Sequence, residues 1–254
     1  MTELVRYETG GEVATVTLDS PHNRNALSAQ LVAEVTARLG EAGADPAVRA
    51  VVFTHTGRVF CSGADLAAAG TGSLGDPGTT IMALLTLIVE LPKPVIARIG
   101  GHVRAGGMGI VGACDLAVAA EGASFAFTEA RIGLAPAMIS LTTLDVMDPR
   151  QAARYYLTGE TFGAQVAAGL GLTTVACAGE DLDGVVDGLV TQIRETSPQG
   201  SAETKKLLTA ARRQRLDGRG PEMVALSARL FASDEAQKFI HAFLEKRAPR
   251  PPGP

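Results

Sequence analysis

The sequence predicts an α/β protein, with strands and helices alternating in its first half and helices dominating after about residue 150. Three observations support this class. Short β-rich runs ending in glycine-containing turns recur through the first half. Apolar residues follow helical spacing from Gln151 onward. Fourteen of the 29 glycines lie between Gly57 and Gly133 without a collagen-like period. The middle third therefore needs many tight turns, which glycine accommodates because it has no Cβ.

The first 54 residues predict two strands, a helix and a third strand. Leu4–Glu8 and Val13–Leu18 are β-rich runs around a Gly-Gly turn, which is typical of a hairpin. Ser28 is a helix-capping residue type, and the apolar positions after it are spaced for a helix that we expect to end at Gly40. Ala50–Thr54 is a short apolar run typical of a buried strand.

The middle of the chain alternates loops, helices and strands. We expect loops at Arg58–Asp65 and Gly70–Gly78, the latter glycine-rich, polar and mobile. The next expected element is helix Ile81–Leu91, which Pro92 should end. The elements expected after it are strand Pro94–Ile99, short helix Ala105–Ala113 and strand Asp115–Ala119.

The C-terminal part is predicted to be a series of helices. They are Gln151–Leu157, Ala164–Ala168, Leu182–Glu195, Ser201–Arg215, Glu222–Phe231 and Glu235–Lys246. Ala248–Pro254 is proline-rich and expected to fray. We divide the chain into a core at 1–195 and a helical region at 196–254. The basic residues of the latter are expected to form a solvated helix face: Lys205, Lys206, Arg212, Arg213 and Arg215.

Composition excludes several classes of function. A net charge of −4 offers no bulk attraction to nucleic acid. Three widely spaced cysteines and four scattered histidines form no disulfide framework and no metal-binding motif. No stretch is long and apolar enough to span a membrane, and the N-terminus does not resemble a signal peptide. We therefore expect a cytoplasmic protein with no metal and no membrane partner.

One motif suggests a nucleotide site that its context does not support. Gly107–Gly112 matches G-x-G-x-x-G, and Glu129 follows Gly109 by 20 residues. In a dinucleotide fold, a strand runs directly into the first glycine and a full crossover helix follows. Here the six residues Gly101–Gly106 lie between the predicted strand and the motif, and the helix after the motif is too short for a crossover.

Two strand-to-turn segments offer a better candidate site. Ala50–Thr54 leads to Val59–Leu66, and Pro94–Ile99 leads to Gly100–Met108 before a short helix. Glycines at such turns allow backbone N–H groups to point into one space, and two converging N–H groups near a helix N-terminus can bind an oxyanion. Each turn alone would be interpreted as structural.

The motifs in these turns resemble those of the crotonase, or enoyl-CoA hydratase/isomerase, superfamily. Phe60-Cys-Ser-Gly-Ala-Asp-Leu66 is similar to the F-C-A-G-A-D-L segment of that family. Four further segments match in order over nearly the whole chain: Leu18–Leu27 (L-x-x-P-x-x-x-N-A-L), Lys93–Asp115 (K-P-V-I-A and G-x-x-x-G-G-G), Phe125–Pro136 (F-x-x-P-E-x-x-x-G-x-x-P) and Phe243–Arg247 (F-x-E-K-R).

The resemblance implies a spiral of ββα units with a C-terminal helical trimerisation region, forming a trimer or a dimer of trimers. It implies an acyl-CoA thioester as ligand, with coenzyme A as part of the substrate and no other cofactor. The N–H groups of Ala64 and Gly106 would hold the thioester oxygen, and Arg24 would lie near the CoA phosphates. The other residues that it places around the ligand are Ala26, Ser62, Gly63, Asp65, Leu66, Gly107 and Gly109.

The sequence departs from the family pattern at one catalytic position. Typical hydratases of this family use two glutamates; here the first position is Gly109 and the second is Glu129. Bacterial methylglutaconyl-CoA-type hydratases, which this chain resembles in the segments around both positions, also carry glycine there. A structural salt bridge between Glu129 and Arg131 is the alternative to a catalytic role.

A single carboxylate leaves several reactions open. Glu129 with an oxyanion hole could hydrate a 2-enoyl-CoA, which is the expectation we favour. A single base could instead move a proton from C2 to C4, as a Δ3,Δ2-enoyl-CoA isomerase does. Other crotonase chemistry and a non-catalytic acyl-CoA binder remain alternatives. Chain length of the acyl group is not readable, because the expected pocket walls, Ala67–Ile81 and Met138–Leu144, pack in ways that the sequence does not determine.

Overall fold

The computed structural model describes residues 2–66 and 77–247, which fold around two β-sheets. The larger sheet has the order β1-β2-β3-β5-β7-β10 and the smaller one β4-β6-β8-β9. In chain order the strands are β1 (Val5–Gly10), β2 (Val13–Leu18), β3 (Ala50–His55), β4 (Val59–Cys61), β5 (Val95–Ile99), β6 (His102–Arg104), β7 (Leu116–Ala120), β8 (Ser124–Ala126), β9 (Phe162–Gly163) and β10 (Val175–Cys177).

Helices connect and cover these sheets. The α-helices with described bounds are α1 (Ala29–Ala44), α2 (Pro77–Glu90), α3 (Gly106–Ala113), α4 (Ala137–Thr143), α5 (Pro149–Thr158), α6 (Ala164–Gly169), α7 (Leu182–Arg194), α8 (Pro198–Phe231) and α9 (Asp234–Arg247). Single turns of 3-10 helix occur at Pro21–Asn23, Glu129–Ile132 and Gly179–Asp181.

The two sheets grow together as the chain advances. Each of the pairs β3/β4, β5/β6 and β7/β8 gives its first strand to the larger sheet and its second to the smaller one. Neighbouring strands from successive pairs are parallel in both sheets. A helix after each pair carries the chain back to the next strand, as parallel pairing requires. This is the spiral of ββα units that the motifs imply.

The core lies on both faces of the larger sheet. Val51 and Phe53 of β3 point into the main cluster with α1, α2 and α3, while Val52 between them points to the opposite face. There Val52 joins Ile96 and Val118 against the apolar side of α7. Successive strand residues face opposite ways, so central strands that are covered on both sides are mostly apolar, as Ala50–Phe53 of β3 are.

The predicted N-terminal elements are confirmed, with one boundary wrong. β1 and β2 form the antiparallel hairpin, and the Ser28 hydroxyl accepts the Leu31 N–H at 3.3 Å as the cap of α1. α1 continues past Gly40 to Ala44. Its C-terminus is held by Lys93, whose ammonium donates to the Ala42 carbonyl at 2.7 Å. Glycine at position 40 is tolerated at a cost of about 1 kcal/mol.

The predicted break between helices Ser201–Arg215 and Glu222–Phe231 is wrong. α8 is one 34-residue helix with Pro221 inside it. An internal proline costs a helix about 3 kcal/mol. α8 packs along α2 and α4, with Leu216 and Met223 buried on either side of the proline, and this tertiary packing opposes the local preference for a break.

The predicted solvated basic face is also wrong in part. Lys205 and Arg212 are buried, at 5% and 8% exposure. The Lys205 ammonium lies 2.7 Å from the Asp115 carboxylate and also donates to the carbonyls of Ile88 and Lys93. Arg212 contacts Asp145 at 3.2 Å. These ion pairs attach α8 to the core, whereas Lys206 and Arg213 lie on its exposed side, as predicted.

Other predictions lie wholly or partly outside the described residues. These are the mobile segment Gly70–Gly78, of which only the final two residues are described and begin α2, and the tail Ala248–Pro254. The division into 1–195 and 196–254 stays a prediction. No helix among residues 2–66 and 77–247 is long and apolar enough to cross a membrane, and no cluster of metal-binding side chains occurs there.

Candidate active site

Three predicted site residues follow three neighbouring strands of the smaller sheet. β4, β6 and β8 are parallel and adjacent in that order. Ala64 follows β4, Gly106 follows β6 and Glu129 follows β8, each within three residues of its strand end. Because the carboxyl ends of parallel strands meet at one edge of a sheet, the topology brings these residues to the same edge.

The loops after β4 and β6 approach each other closely. The Cα–H bonds of Gly63 and Gly106 face one another: a Cβ added to Gly63 would lie 3.1 Å from the Gly106 nitrogen, and one added to Gly106 would lie 3.8 Å from the Ala64 nitrogen. Gly63 has φ +89°, which favours glycine further. The backbone nitrogens of Ala64 and Gly106 therefore lie close to each other.

Neither the helix that begins at Gly106 nor the bridge formed by Ala64 provides an acceptor for the N–H group of that residue. Gly106 begins α3, so its N–H has no acceptor within the helix. Ala64 forms an isolated parallel bridge with Leu27, in which the Leu27 N–H donates to the Gly63 carbonyl at 2.8 Å. In a parallel bridge the central residue's own N–H points away from the partner strand, which for Ala64 is the side away from Leu27.

Ala105 holds an unusual backbone conformation beside this space. Its φ of +47° and ψ of −121° lie where residues with a Cβ are strained. The sequence pattern of the family has glycine here. The strained residue is fixed on one side by its N–H, which donates to the Ala126 carbonyl at 3.2 Å, and it sets the direction of the next N–H, that of Gly106.

The N-A-L segment supports the loop after β4. The Arg24 carbonyl accepts the Ser62 N–H at 3.1 Å. Asn25 is fully buried, and its amide donates to the carbonyls of Thr56 and Val59 at 3.1 and 2.7 Å. No role was predicted for Asn25 from the sequence, although it belongs to the quoted motif. It joins two segments that flank the site.

The other predicted ligand-contacting residues surround these loops in different ways. Arg24 is exposed, Ala26 is buried, and Ser62, Asp65 and Leu66 are partly buried. Gly107 is buried, and a Cβ there would lie 2.8 Å from Cys61 Cβ, so its lack of a side chain lets α3 pack directly on β4.

Gly109 is buried on the opposite side of α3, against α4. A Cβ at Gly109 would lie 2.6 Å from Ile139 Cγ2 and 3.4 Å from Leu85 Cδ1. A Cβ at Gly112 would lie 2.8 Å from Thr143 Cγ2. The G-x-G-x-x-G match is therefore part of a helix, where its glycines allow close helix packing. Ile139 fills the volume that a side chain at position 109 would need.

Glu129 begins the 3-10 turn after β8 and has a buried carboxyl group. Its Oε2 atom is buried and has no hydrogen-bond partner in the part of the chain that the structure describes. Burial raises the pKa of Glu129 to about 7, because a low-dielectric environment disfavours the charged form. The alternative salt bridge with Arg131 is not formed; the Arg131 guanidinium donates to the Thr158 carbonyl instead.

Two hydroxyl groups that were not predicted from the sequence belong to the surroundings of Glu129. The ring of Tyr156, on α5, packs on Phe127 with centroids 4.2 Å apart. The Tyr156 hydroxyl is hydrogen-bonded to Thr143 Oγ1. Burial raises the pKa of Tyr156, and the charge of Glu129 raises it further. No local pattern marks these residues, because their proximity depends on how α4 and α5 pack.

The arrangement suits chemistry on a polarised carbonyl compound. Two convergent N–H groups can stabilise a developing oxyanion. A carboxyl group with a pKa near 7 can both take and return a proton near neutral pH. Two clefts of about 360 and 680 Å³ are lined by other residues, on α2 and α8 and along β2, β3 and α7 respectively, and neither is lined by a residue of this site.

Comparison with known proteins identifies the same family that the sequence motifs resemble. Residues 8–251 match the family model described as enoyl-CoA hydratase/isomerase. A Rhodobacter capsulatus protein named "Probable enoyl-CoA hydratase" is 34% identical over 257 residues, covering 96% of each chain. A carnitinyl-CoA dehydratase of Proteus mirabilis is 30% identical, covering 98% of each.

A solved structure is more similar still. The crystal structure of an enoyl-CoA hydratase from Mycobacterium avium is 53% identical, with a TM-score of 0.89, over 98% of this chain and 99% of that one. The family model spans most of the chain, and the spiral fold and the motif residues agree with it. The chain belongs to the enoyl-CoA hydratase/isomerase family, the crotonase superfamily that its motifs resemble.

Proposed function

We propose that the protein hydrates a 2-enoyl-CoA to a 3-hydroxyacyl-CoA, with Glu129 as its single acid/base. The observation that carries this proposal is the buried Glu129 carboxyl group with a pKa of about 7, which follows the strand next to the two closely approaching loops that carry Ala64 and Gly106. The names of the relatives above support the acyl-CoA substrate class.

In this proposal the Ala64 and Gly106 N–H groups hold the thioester oxygen. Their hydrogen bonds draw electron density from the enoyl group, which makes C3 electrophilic and stabilises the enolate that forms after attack. Losing one such donor typically lowers the rate about 10²- to 10³-fold. The exposed Arg24 guanidinium would contact the CoA phosphates, since its backbone adjoins the loop that carries Ala64.

Glu129 performs both proton transfers. The carboxylate takes a proton from water as the water oxygen bonds to C3, and the π electrons move to the thioester oxygen as an enolate. The enolate then reforms the carbonyl as C2 takes the proton from Glu129. The carboxylate is regenerated, and one water molecule has been added across the double bond.

Isomerisation is the second candidate, and one observation favours it. Ile139 and Leu85 fill the side of the site where a second glutamate would lie, so that side offers water no carboxylate. A single base that moves a proton from C2 to C4 needs no bound water. Hydration stays first because Glu129 alone can supply both proton transfers and because the relatives above are named as hydratases and a dehydratase.

The experiment is a comparison of two substrate panels. We expect the ultraviolet absorbance of conjugated 2-enoyl-CoAs to fall on addition of the protein, as the double bond is hydrated. If 2-enoyl-CoAs are unchanged while 3-enoyl-CoAs gain that absorbance, the protein is an isomerase and the hydration proposal is wrong. Binding of CoA esters by calorimetry without turnover of either panel would identify a non-catalytic binder.

A matched pair of glutamates tests the assignment of the base. Glu129→Gln should lower turnover about 10²- to 10⁴-fold, because the amide cannot exchange the proton. Glu121→Gln should not, because Glu121 is exposed and makes a surface contact with Gln165. Equal activities in the two variants would contradict the role of Glu129.

We also propose that the protein forms a trimer or a dimer of trimers through its C-terminal helices. Several large apolar side chains of these helices are exposed in the single chain: Leu207 (80%), Leu208 (75%), Phe239 (47%) and Phe243 (39%). Exposed apolar groups of this kind commonly mark association surfaces. Light scattering coupled to size-exclusion chromatography should give three or six times the chain mass, and a monomer would contradict the proposal.

A further inference from the structure

The C-terminal helix α9 packs on the turn that carries Glu129. Among the described elements, α9 contacts chiefly this 3-10 turn and the preceding helix α8. Ala236 of α9 is fully buried. A Cβ added at Gly133 would lie 2.9 Å from Ala236 Cα and 3.1 Å from the Ala236 nitrogen. The backbone of α9 therefore lies directly against Gly133, with no room for a side chain between them.

Gly133 in turn holds the backbone of Glu129. The N–H groups of Gly133 and Leu134 both donate to the Glu129 carbonyl, the second of them at 3.0 Å. Gly133 has φ +73°, a conformation that favours glycine, and it caps the turn that Glu129 begins. A shift of Gly133 would therefore move the backbone from which the Glu129 side chain extends.

The apolar contacts on this side of the turn belong to α9 and not to the main core. The main core includes Phe127, two residues before Glu129. After Glu129, Leu134 instead forms a small separate cluster with Ala236 and Ile240. The segment that follows Glu129 therefore depends on α9 for its packing.

The first turn of α9 is itself fixed to the end of α8. The Ser233 hydroxyl accepts the Ala236 N–H at 3.2 Å and donates to the Leu230 carbonyl at 2.7 Å. Ala236 is thus held on Gly133 from both sides, by the turn that it covers and by the cap of its own helix.

The turn has a second support on α5, which is less direct. The Arg131 guanidinium donates to the Thr158 carbonyl at 3.1 Å, and a Cβ at Gly159 would lie 2.8 Å from Arg131 Nε. Arg131 is exposed, and this contact runs through a long side chain. The contact with α9 joins backbone to backbone, so it constrains the position of the turn more closely.

We propose that Ala236 is a positioning residue for Glu129, and that the C-terminal helix thereby controls turnover without touching the substrate. The inference rests on the proposed role of Glu129 as the acid/base. α9 seated on Gly133 fixes the turn, and the fixed turn directs the Glu129 carboxyl group toward the reacting atoms. A larger side chain at position 236 would push α9 away from Gly133. Misplacing a catalytic group by about 1 Å can lower a rate about 10²-fold.

The first test compares the hydratase kinetics of Ala236→Leu and Ala242→Leu. Ala242 is exposed on the same helix, so its replacement is the matched control and should leave kcat unchanged. We expect Ala236→Leu to lower kcat about 10- to 100-fold. KM should change little, because the groups proposed to hold the thioester, the N–H groups of Ala64 and Gly106, lie on the loops after β4 and β6.

Ala236→Gly separates positioning from stability. Glycine in a helix lowers stability, so this variant should melt at a lower temperature than wild type. It still allows the backbone of α9 to lie against Gly133, so its kcat should remain at the wild-type value well below the melting temperature. If kcat instead falls with the melting temperature in both Ala236→Gly and Ala236→Leu, Ala236 has only a structural role and the inference is wrong.

A measurement without substrate distinguishes failure of this inference from failure of the proposed function. The amides of Gly133 and Leu134, which are bonded to the Glu129 carbonyl, should exchange with solvent at least about 10-fold faster in Ala236→Leu when followed by NMR. Their exchange should be unchanged in Ala242→Leu. Unchanged exchange in Ala236→Leu overturns the inference, and so does faster exchange with a wild-type kcat. Wild-type protein without hydratase activity would refute the proposed function, while the exchange rates would still show whether α9 holds the turn.

A second variant carries the test if Ala236→Leu does not fold or changes its oligomeric mass. Ile240→Ala removes the apolar contact with Leu134 and leaves Ala236 in place. It should show the same faster exchange at Gly133 and Leu134 and a lower kcat with little change in KM. Wild-type exchange or wild-type kcat in Ile240→Ala would then overturn the inference.

Discussion

Replacing Gly109 with alanine tests whether the closed side of the site is as tightly packed as the structure indicates. The new Cβ would lie 2.6 Å from Ile139 Cγ2 and 3.0 Å from Ile139 Cβ, against an ordinary carbon–carbon contact of about 3.5–4.0 Å. Overpacking of this kind costs about 1–3 kcal/mol. Alanine regains about 0.5–1 kcal/mol of helix stability over glycine, so the net loss should be about 1–2 kcal/mol.

The assay is equilibrium unfolding in urea at fixed protein concentration, arranged as a double-mutant cycle with Ile139→Ala. Ile139→Ala alone should cost about 2–5 kcal/mol through its cavity. In that background the Cβ added at position 109 has room, so Gly109→Ala should turn from destabilising to stabilising, a coupling of about 2 kcal/mol. Gly188→Ala in α7 is the matched control, because nothing lies within 4 Å of its Cβ position; it should gain about 0.5–1 kcal/mol.

Two results would refute this reasoning. One is an equal effect of Gly109→Ala with and without Ile139. The other is a gain in stability for Gly109→Ala similar to that for Gly188→Ala. Either would mean that the space beside position 109 is open, and that a second glutamate is missing for a reason other than packing. If the prediction holds, Gly109→Glu in the native background cannot restore a second carboxylate without a smaller residue at 139.

Three further predictions concern stability. The pKa of Glu129 is raised to about 7 in the folded state from about 4.3 in the unfolded state. The stability that the neutral carboxyl group contributes is therefore fully present below about pH 4.3 and is lost as the pH rises through 7. Glu129→Gln should be more stable than wild type by about 3–4 kcal/mol at pH 8 and similar to it at about pH 4.3, and parallel pH curves would contradict this. Lys205→Met leaves Asp115 buried without its ion-pair partner and should lower the free energy of unfolding in urea by about 3–5 kcal/mol. The exposed control Lys206→Met should change it by less than about 0.5 kcal/mol. Similar losses in both variants would be evidence against the buried ion pair. Ala105→Gly removes the backbone strain of a residue with φ +47° and should raise the melting temperature by about 2–4 °C, equivalent to about 1 kcal/mol. A lower melting temperature would show that Ala105 is not strained.

The sequence predicted those parts of the fold that depend on neighbouring residues. The hairpin before Leu18 and the Ser28 cap are local features, and both are present. The smaller sheet was not predicted, because strands of two or three residues such as His102–Arg104 are too short to show an alternating pattern. The break predicted between Arg215 and Glu222 is absent, because the packing of α8 along the core opposes it and cannot be inferred from the sequence of the helix alone.

The backbone N–H groups of Ala64 and Gly106 and the carboxyl group of Glu129 could be proposed as site groups from the sequence, because they lie within motifs that occur in order along the chain. The sequence showed that position 109 lacks a carboxylate, but it could not show that Ile139, 30 residues away, fills the space beside it. Tyr156 and Thr143 were missed for the same reason: their hydrogen bond depends on how two helices pack. The burial of Lys205 was likewise not predictable, because a basic residue on a helix is usually solvated.

The central claim, that Glu129 is the acid/base of a 2-enoyl-CoA hydratase, is tested most directly by measuring hydration of a 2-enoyl-CoA across pH for wild type and Glu129→Gln. We predict that wild-type kcat/KM rises through an ionisation near pH 7, and that Glu129→Gln binds the ester but loses about 10²- to 10⁴-fold in rate. A Glu129→Gln variant that hydrates the substrate at the wild-type rate would contradict it.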